Sequence, residues 1–124
     1  MAKVLGIGGV FFKAADPAAV RDWYARVLGM DVNEWGCTFQ ATPGSQQQWS
    51  VHAATTDYYD PSKQPFMINL LVDDMDGVLE RARAQGAEVL GRQDESYGSF
   101  AWLMDPAGVK IELWQAAAEE PEAS

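Results

Sequence analysis

Phe66-Met67-Ile68-Asn69-Leu70-Leu71-Val72-Asp73-Asp74-Met75 is the stretch on which the fold of this chain turns. It opens as a strongly apolar run of strand length, and Asp74 then offers a side-chain oxygen to the unpaired N–H groups of a helix beginning beside it. Met75, Val78, Leu79 and Ala82 recur on one helical face, and Gly86 is placed to stop the helix. The same order occurs once before. Val10 lies six residues ahead of Asp16 as Ile68 lies six ahead of Asp74, and Val20 and Val78 each follow their aspartate by four. Gly29 to Val32 and Gly86 to Val89 share a spacing too. A unit met only twice, its copies 58 positions apart, is a duplicated supersecondary element rather than a solenoid repeat.

Working outward, residues 4–13 read as the first strand, and Asp16-Pro17 supplies a cap with proline at the first helical position. Val20, Trp23, Tyr24, Val27 and Leu28 form the buried stripe of that helix, which Gly29 ends; Trp23 and Phe12 are expected to pack helix against sheet. Residues 37–42 and 48–54 read as a hairpin about Pro43-Gly44-Ser45. Residues 57–65, with two prolines and no periodicity, read as a linker. Beyond the second helix, residues 89–92, 99–104 and 109–114 are expected strands, with Asp105-Pro106-Ala107-Gly108 as the last turn. Residues 116–124, acidic and with nothing to bury, read as a disordered tail.

With 124 residues, 48% of them apolar, the chain has material for one domain and a real core. Nine Lys and Arg against eighteen Asp and Glu give a net charge of −9, which argues against nucleic acid or an anionic membrane as partner. One cysteine, Cys37, excludes an internal disulfide, and no signal-peptide layout or long apolar span is present, so a cytoplasmic location is expected.

Gly8-Gly9-Val10-Phe11-Phe12-Lys13 with Asp16-Pro17, Trp23-Tyr24 and Leu28-Gly29 resembles the first unit of the vicinal-oxygen-chelate superfamily of glyoxalase, bleomycin-resistance and extradiol-dioxygenase-like proteins. Phe66-Met67-Ile68-Asn69, Val72-Asp73-Asp74, Tyr97-Gly98 and Asp105-Pro106 with Gly108 and Ile111-Glu112-Leu113-Trp114 resemble its second. The resemblance covers residues 5–115 and implies an α+β fold in which two βαβββ modules form a curved sheet cup. It implies a single glyoxalase-like domain over residues 1–115, with module one at 1–56, the linker at 57–65 and module two at 66–115.

Metal-dependent members of this superfamily place ligands on the first strand of each unit and a glutamate on the last strand. The corresponding positions here are Gly9, Met67 and Glu112, of which only Glu112 fits the pattern; glycine has no ligand and a thioether suits soft metals. No cofactor is therefore expected, a divalent metal being the less favoured option. Strand parity turns Val109, Ile111 and Leu113 toward the helices and Lys110, Glu112 and Trp114 toward the cup. The internal repeat puts His52, the sole histidine, near the mirror position of Glu112, so these two are the candidate catalytic pair across the cup floor. Either has a plainer reading, His52 as a hydrogen-bonded strand residue and Glu112 as an ion-pair partner of Lys13 or Arg92. Phe39, Trp49, Tyr97, Trp102 and Trp114, with Met67 and the amide of Asn69, are the candidate ligand-binding residues, because aromatic lining with a few polar groups describes a small-molecule site.

Three functions compete. The first is a metal-free, homodimeric small-molecule-binding protein of the bleomycin-resistance kind, the acidic charge favouring a cationic ligand. The second is a glyoxalase-type lyase or isomerase with Glu112 as general base and His52 assisting. The third is an interaction module with a vestigial cup. An unpaired, functional Glu112 predicts that Glu112→Gln melts no lower than the parent.

Overall fold

In the computed structural model of the chain, residues 3, 10–40, 43 and 47–117 are described. Helix α1, Pro17–Leu28, starts where Asp16 caps it: the carboxylate accepts from the Ala19 N–H at 3.1 Å, and proline holds the first helical position. Gly29 ends α1 with φ +69, a left-handed conformation that disfavours any side chain, and the Arg81 guanidinium occupies the space a Cβ would need there. Strand β1, Ile68–Leu71, leads into helix α2, Met75–Ala84, whose cap Asp74 accepts from the Gly77 N–H at 3.2 Å. Strands β2, Val89–Glu95, β3, Gly98–Met104, and β4, Lys110–Ala116, complete the described elements.

The four strands make one open, curved sheet in the order β1-β4-β3-β2, with β1 parallel to β4 and the other pairs antiparallel. Alternation divides it cleanly. Ala101, Leu103, Ile111 and Leu113 are fully buried against both helices, meeting Val20, Tyr24 and Val27 of α1 and Met75, Leu79 and Ala82 of α2. Phe12 and Trp23 pack partly buried against the same core, as the sequence leads one to expect.

The β3–β4 turn pins α1 to this sheet. Asp105, 5% exposed, accepts from the backbone N–H groups of Ala107 and Val109, both at 2.8 Å, while its other oxygen accepts the Tyr24 hydroxyl at 2.7 Å. Burial first, and the neighbouring carboxylate second, push the Tyr24 phenol far above its ordinary range.

The α+β class stands, but the strands expected in the first half do not. Among the described residues, 10–13, 37–40 and 47–54 carry no strand, and that half holds only an isolated bridge between Asn33 and Gly36. A ladder needs a neighbouring backbone to receive its hydrogen bonds, and among the described residues these segments form no ladder, so local strand propensity goes unexpressed there. Their apolar side chains stay in the open, Phe11 at 95% exposure and Trp49 at 75%. Most of the first strand, two residues of the hairpin's first strand, most of its turn and most of the tail lie outside the described residues.

Candidate functional site

Register assembles the site. On the face of the sheet turned away from the helices, Asn69 of β1 pairs with Glu112 of β4, and Glu112 pairs with Trp102 of β3, so three side chains stand in one row across three strands. The Glu112 carboxylate, 9% exposed, accepts from Asn69 Nδ2 at 2.7 Å through one oxygen and from Trp102 Nε1 at 2.9 Å through the other. That second oxygen also accepts the hydroxyl of Tyr58. Three neutral donors thus fill most of the roughly four acceptor positions of a carboxylate. Lys110, two residues before Glu112 on the same strand face, lies 5.2 Å from the Tyr58 ring centroid and 5.8 Å from that of Trp102, and donates from Nζ to the Tyr58 carbonyl at 2.6 Å.

Tyr58 belongs to the segment expected to be a plain linker. Ser62, 8% exposed, anchors that segment by donating to the Gly108 carbonyl at 2.5 Å, so the turns around Tyr58 cross the open face of the sheet. Burial, and then the hydrogen bond to Glu112, push the Tyr58 phenol up to about 12. The Tyr58-Tyr59 doublet, a concentration of aromatic surface in an otherwise polar stretch, was the one signal in the sequence that could have marked it.

His52 and Glu112 do not meet. The imidazole stacks on Tyr58, with centroids 5.9 Å apart and planes 28° apart, and shares a 2.8 Å hydrogen bond between Nδ1 and the Tyr59 hydroxyl, so Tyr58 stands between it and the carboxylate. The ion pairs weighed for Glu112 are not made either: Arg92 bonds Asp76 at 2.6 Å and Asp94 at 3.2 Å, and nothing joins Lys13 to Glu112. Glu112 is nonetheless a paired group, which overturns the premise on which Glu112→Gln was expected to melt no lower than the parent. With Lys110 beside it, the site carries a positive charge as well, which offsets the attraction of Glu112 for a cationic ligand.

The remaining candidates divide. Trp114 and Phe100 stack face to face in the next cross-strand row, 6.4 Å apart with planes 5° apart, and Tyr97 leans on Phe100 from the β2–β3 turn at 5.9 Å. These rings extend the aromatic surface beside Glu112. Met67 is half-buried just ahead of β1. Trp49 and Phe39, 75% and 67% exposed, share no ring contact or hydrogen bond with the Glu112 cluster. For a divalent metal the donors do not fit: Met67 offers a thioether, His52 turns Nδ1 to Tyr59, Glu112 is engaged by three donors, and Gly9, outside the described residues, has no side chain. Among the described residues no three His, Cys, Asp or Glu side chains converge. A hollow of about 460 Å³ beside the start of α1, lined by Lys13, Asp16, Gln64 and Pro106, lies apart from this cluster.

Strand β1, helix α2 and strands β2 to β4 follow one another in the strand-helix-three-strand order that the resemblance implied. The Glyoxalase-like domain profile matches residues 9–114, and the chain belongs to that family. No curated protein sequence matches it. Among solved structures it is similar to a glyoxylase/bleomycin resistance protein/dioxygenase domain from Frankia sp. EAN1pec, with TM-score 0.60 and 16% identity over 95% of this chain and 96% of that one. It is similar to a protein from the mobile metagenome of V. Pseudocholerae, with TM-score 0.56 and 17% identity over 94% and 100%. It is also similar to TnmS3, an antibiotic binding protein from Streptomyces sp. CB03234, with TM-score 0.54 and 23% identity over 84% and 89%. At these identities the likeness establishes the fold. Among the described residues no helix is long and apolar enough to cross a membrane.

Proposed function

We propose that the chain binds a small organic molecule on the open face of its sheet, around Glu112, without a resident metal and without transforming it. The observation that carries this is the row Asn69, Glu112, Trp102: a few convergent polar groups set among aromatic rings, the composition of a recognition site. Both Glu112 oxygens already accept hydrogen bonds, a poor arrangement for a general base, which must offer a lone pair to the proton it removes. The fold shared with an antibiotic binding protein supports the same reading.

A thermal-shift panel of planar aromatic compounds tests it. A compound at about one hundred times its Kd adds about 2.7 kcal/mol of stability, and Glu112→Gln should cancel the response. A panel of all charge types that moves neither protein would sink the proposal. Exhaustive chelation should leave the melting temperature within about one degree, because among the described residues no three His, Cys, Asp or Glu side chains converge to couple metal to folding; stoichiometric zinc surviving dialysis would contradict this. We further propose that the exposed apolar side chains of the first half, Phe11, Trp35, Trp49 and Val51, are covered by a second copy in a cytoplasmic homodimer. Sedimentation showing only monomer at micromolar concentration would refute it.

A further inference from the structure

Tyr58 is bound to the open face as a ligand would be. Its ring stacks on His52, meets Trp102 edge-on at 6.4 Å and 90°, and lies under the Lys110 ammonium, while its hydroxyl donates to Glu112. It has no share in the hydrophobic core and remains 38% exposed. The backbone that carries it is in turns, held at Ser62 and by the Lys110 ammonium on the Tyr58 carbonyl rather than by the ring, so the side chain can leave while its segment stays anchored. A phenol ring held by stacking, a cation and one hydrogen bond, outside the core, is an internal occupant of a recognition site.

We propose that Tyr58 is the stand-in for the ligand: the site takes a planar aromatic compound bearing an O–H donor, a phenol or an enol, which displaces the Tyr58 side chain and remakes its contacts. This rests on the open face being a small-molecule site, and it adds the chemical class. Glu112 selects for a donor, since a carboxylate or ether oxygen on the ligand would meet carboxylate lone pairs. His52 and Trp102 select for a flat ring, and Lys110 favours its π-face. Because Tyr58 competes from within the same molecule, the affinity seen from outside is the intrinsic affinity reduced by the fraction of molecules in which the side chain has swung away.

Calorimetric titration with 2-naphthol, and with 2-methoxynaphthalene as the matched compound lacking the O–H, tests the proposal on the wild type, Tyr58→Phe, Tyr58→Ala and Glu112→Gln. Affinity for 2-naphthol should rise from wild type through Tyr58→Phe to Tyr58→Ala by about tenfold or more in all, and 2-methoxynaphthalene should bind Tyr58→Ala at least about tenfold more weakly. Should Tyr58→Ala fail to fold, Tyr58→Phe must still bind more tightly than the wild type. If the wild type binds 2-naphthol as tightly as the Tyr58 variants and Glu112→Gln does not bind, the open face is a site but Tyr58 is part of its wall, and the proposal falls. It falls equally if folded Tyr58→Ala binds both naphthalenes alike or neither. The broader small-molecule reading fails separately, on a compound panel that leaves both wild type and Glu112→Gln unshifted.

Discussion

The two halves of this chain begin alike, with an apolar run, an aspartate cap and an amphipathic helix, yet among the described residues only the second builds a sheet. Asp16 and Asp74 accept from the N–H groups of Ala19 and Gly77 at nearly the same distance, and the helices they start each bury one apolar stripe. A helix closes its hydrogen bonds within a dozen residues, so it forms wherever its local pattern occurs. A strand closes them on another segment. In the second half β2, β3 and β4 are joined by short turns and supply one another, whereas residues 47–54 of the first half, with the same strand-like composition, find no ladder. The first half nevertheless belongs to the fold, because α1 lays Val20, Tyr24 and Val27 on the core of the second.

The halves are joined by a buried hydrogen bond between Tyr24 and Asp105, and breaking it should have the largest effect. Asp105→Ala leaves the buried Tyr24 hydroxyl and two backbone N–H groups without acceptors, and a loss of about 3 kcal/mol or more is expected in chemical denaturation. Tyr24→Phe removes only the hydroxyl and should cost about 1 kcal/mol. If Asp105→Ala unfolds at the parent's midpoint, α1 is held by apolar packing alone.

Glu112 comes next; its donors come from the second half and, through Tyr58, from the segment between the halves. A glutamine there presents an N–H to a donor that now has an acceptor, so Glu112→Gln should lose about 1–2 kcal/mol as well as ligand response. Urea midpoints for the two proteins decide this, and unchanged stability would show that the three donors can turn to water. Parity alone placed Lys110, Glu112 and Trp114 on one face, because alternation within a strand is local. It did not pair Glu112 with Trp102 or Asn69, since that requires the register between strands. Nor did it reveal Tyr58: a segment without periodicity has no phase, so its side chains cannot be assigned a face from sequence. His52 was placed near the site by the internal repeat, and the structure brings it only as far as Tyr58. Where the first-half strands fall on described residues they do not form, because composition reports propensity and not the presence of a partner.

The helix ends offer a finer test of the likeness between halves. Gly29 and Gly86 are both left-handed, at φ +69 and +82, so alanine at either should cost about 1 kcal/mol. A Cβ at Gly86 meets nothing, while one at Gly29 collides with the Arg81 guanidinium, which must swing aside. Gly29→Ala should therefore melt lower than Gly86→Ala, and Arg81→Ala in the same background should narrow the gap. Equal melting temperatures would mean that Arg81 yields at no cost.

The smallest effect expected is a pH dependence that separates Tyr58 from Tyr24. The Tyr58 phenol stands at about 12 in the folded chain against about 10 when unfolded, so the fold prefers its neutral form. That preference contributes fully below pH 10 and is lost as the pH rises from there through about 12. Ionisation puts a phenolate against the Glu112 carboxylate and expels the ring from the open face, yet the ring is partly exposed and outside the core, so the chain should stay folded while this happens. Tyr24 is different: its hydroxyl is buried against Asp105, and it should ionise only when the core opens. Following phenolate absorbance in wild type and Tyr58→Phe isolates the Tyr58 step as a difference, and circular dichroism on the same samples reports the fold. The stability gap between the two proteins should be flat from pH 7 to 9, below about 1 kcal/mol, and should shrink above pH 10. A difference step centred at pH 10, or one that coincides with loss of helix signal, would show that Tyr58 is not held against Glu112 as a separable occupant of the site.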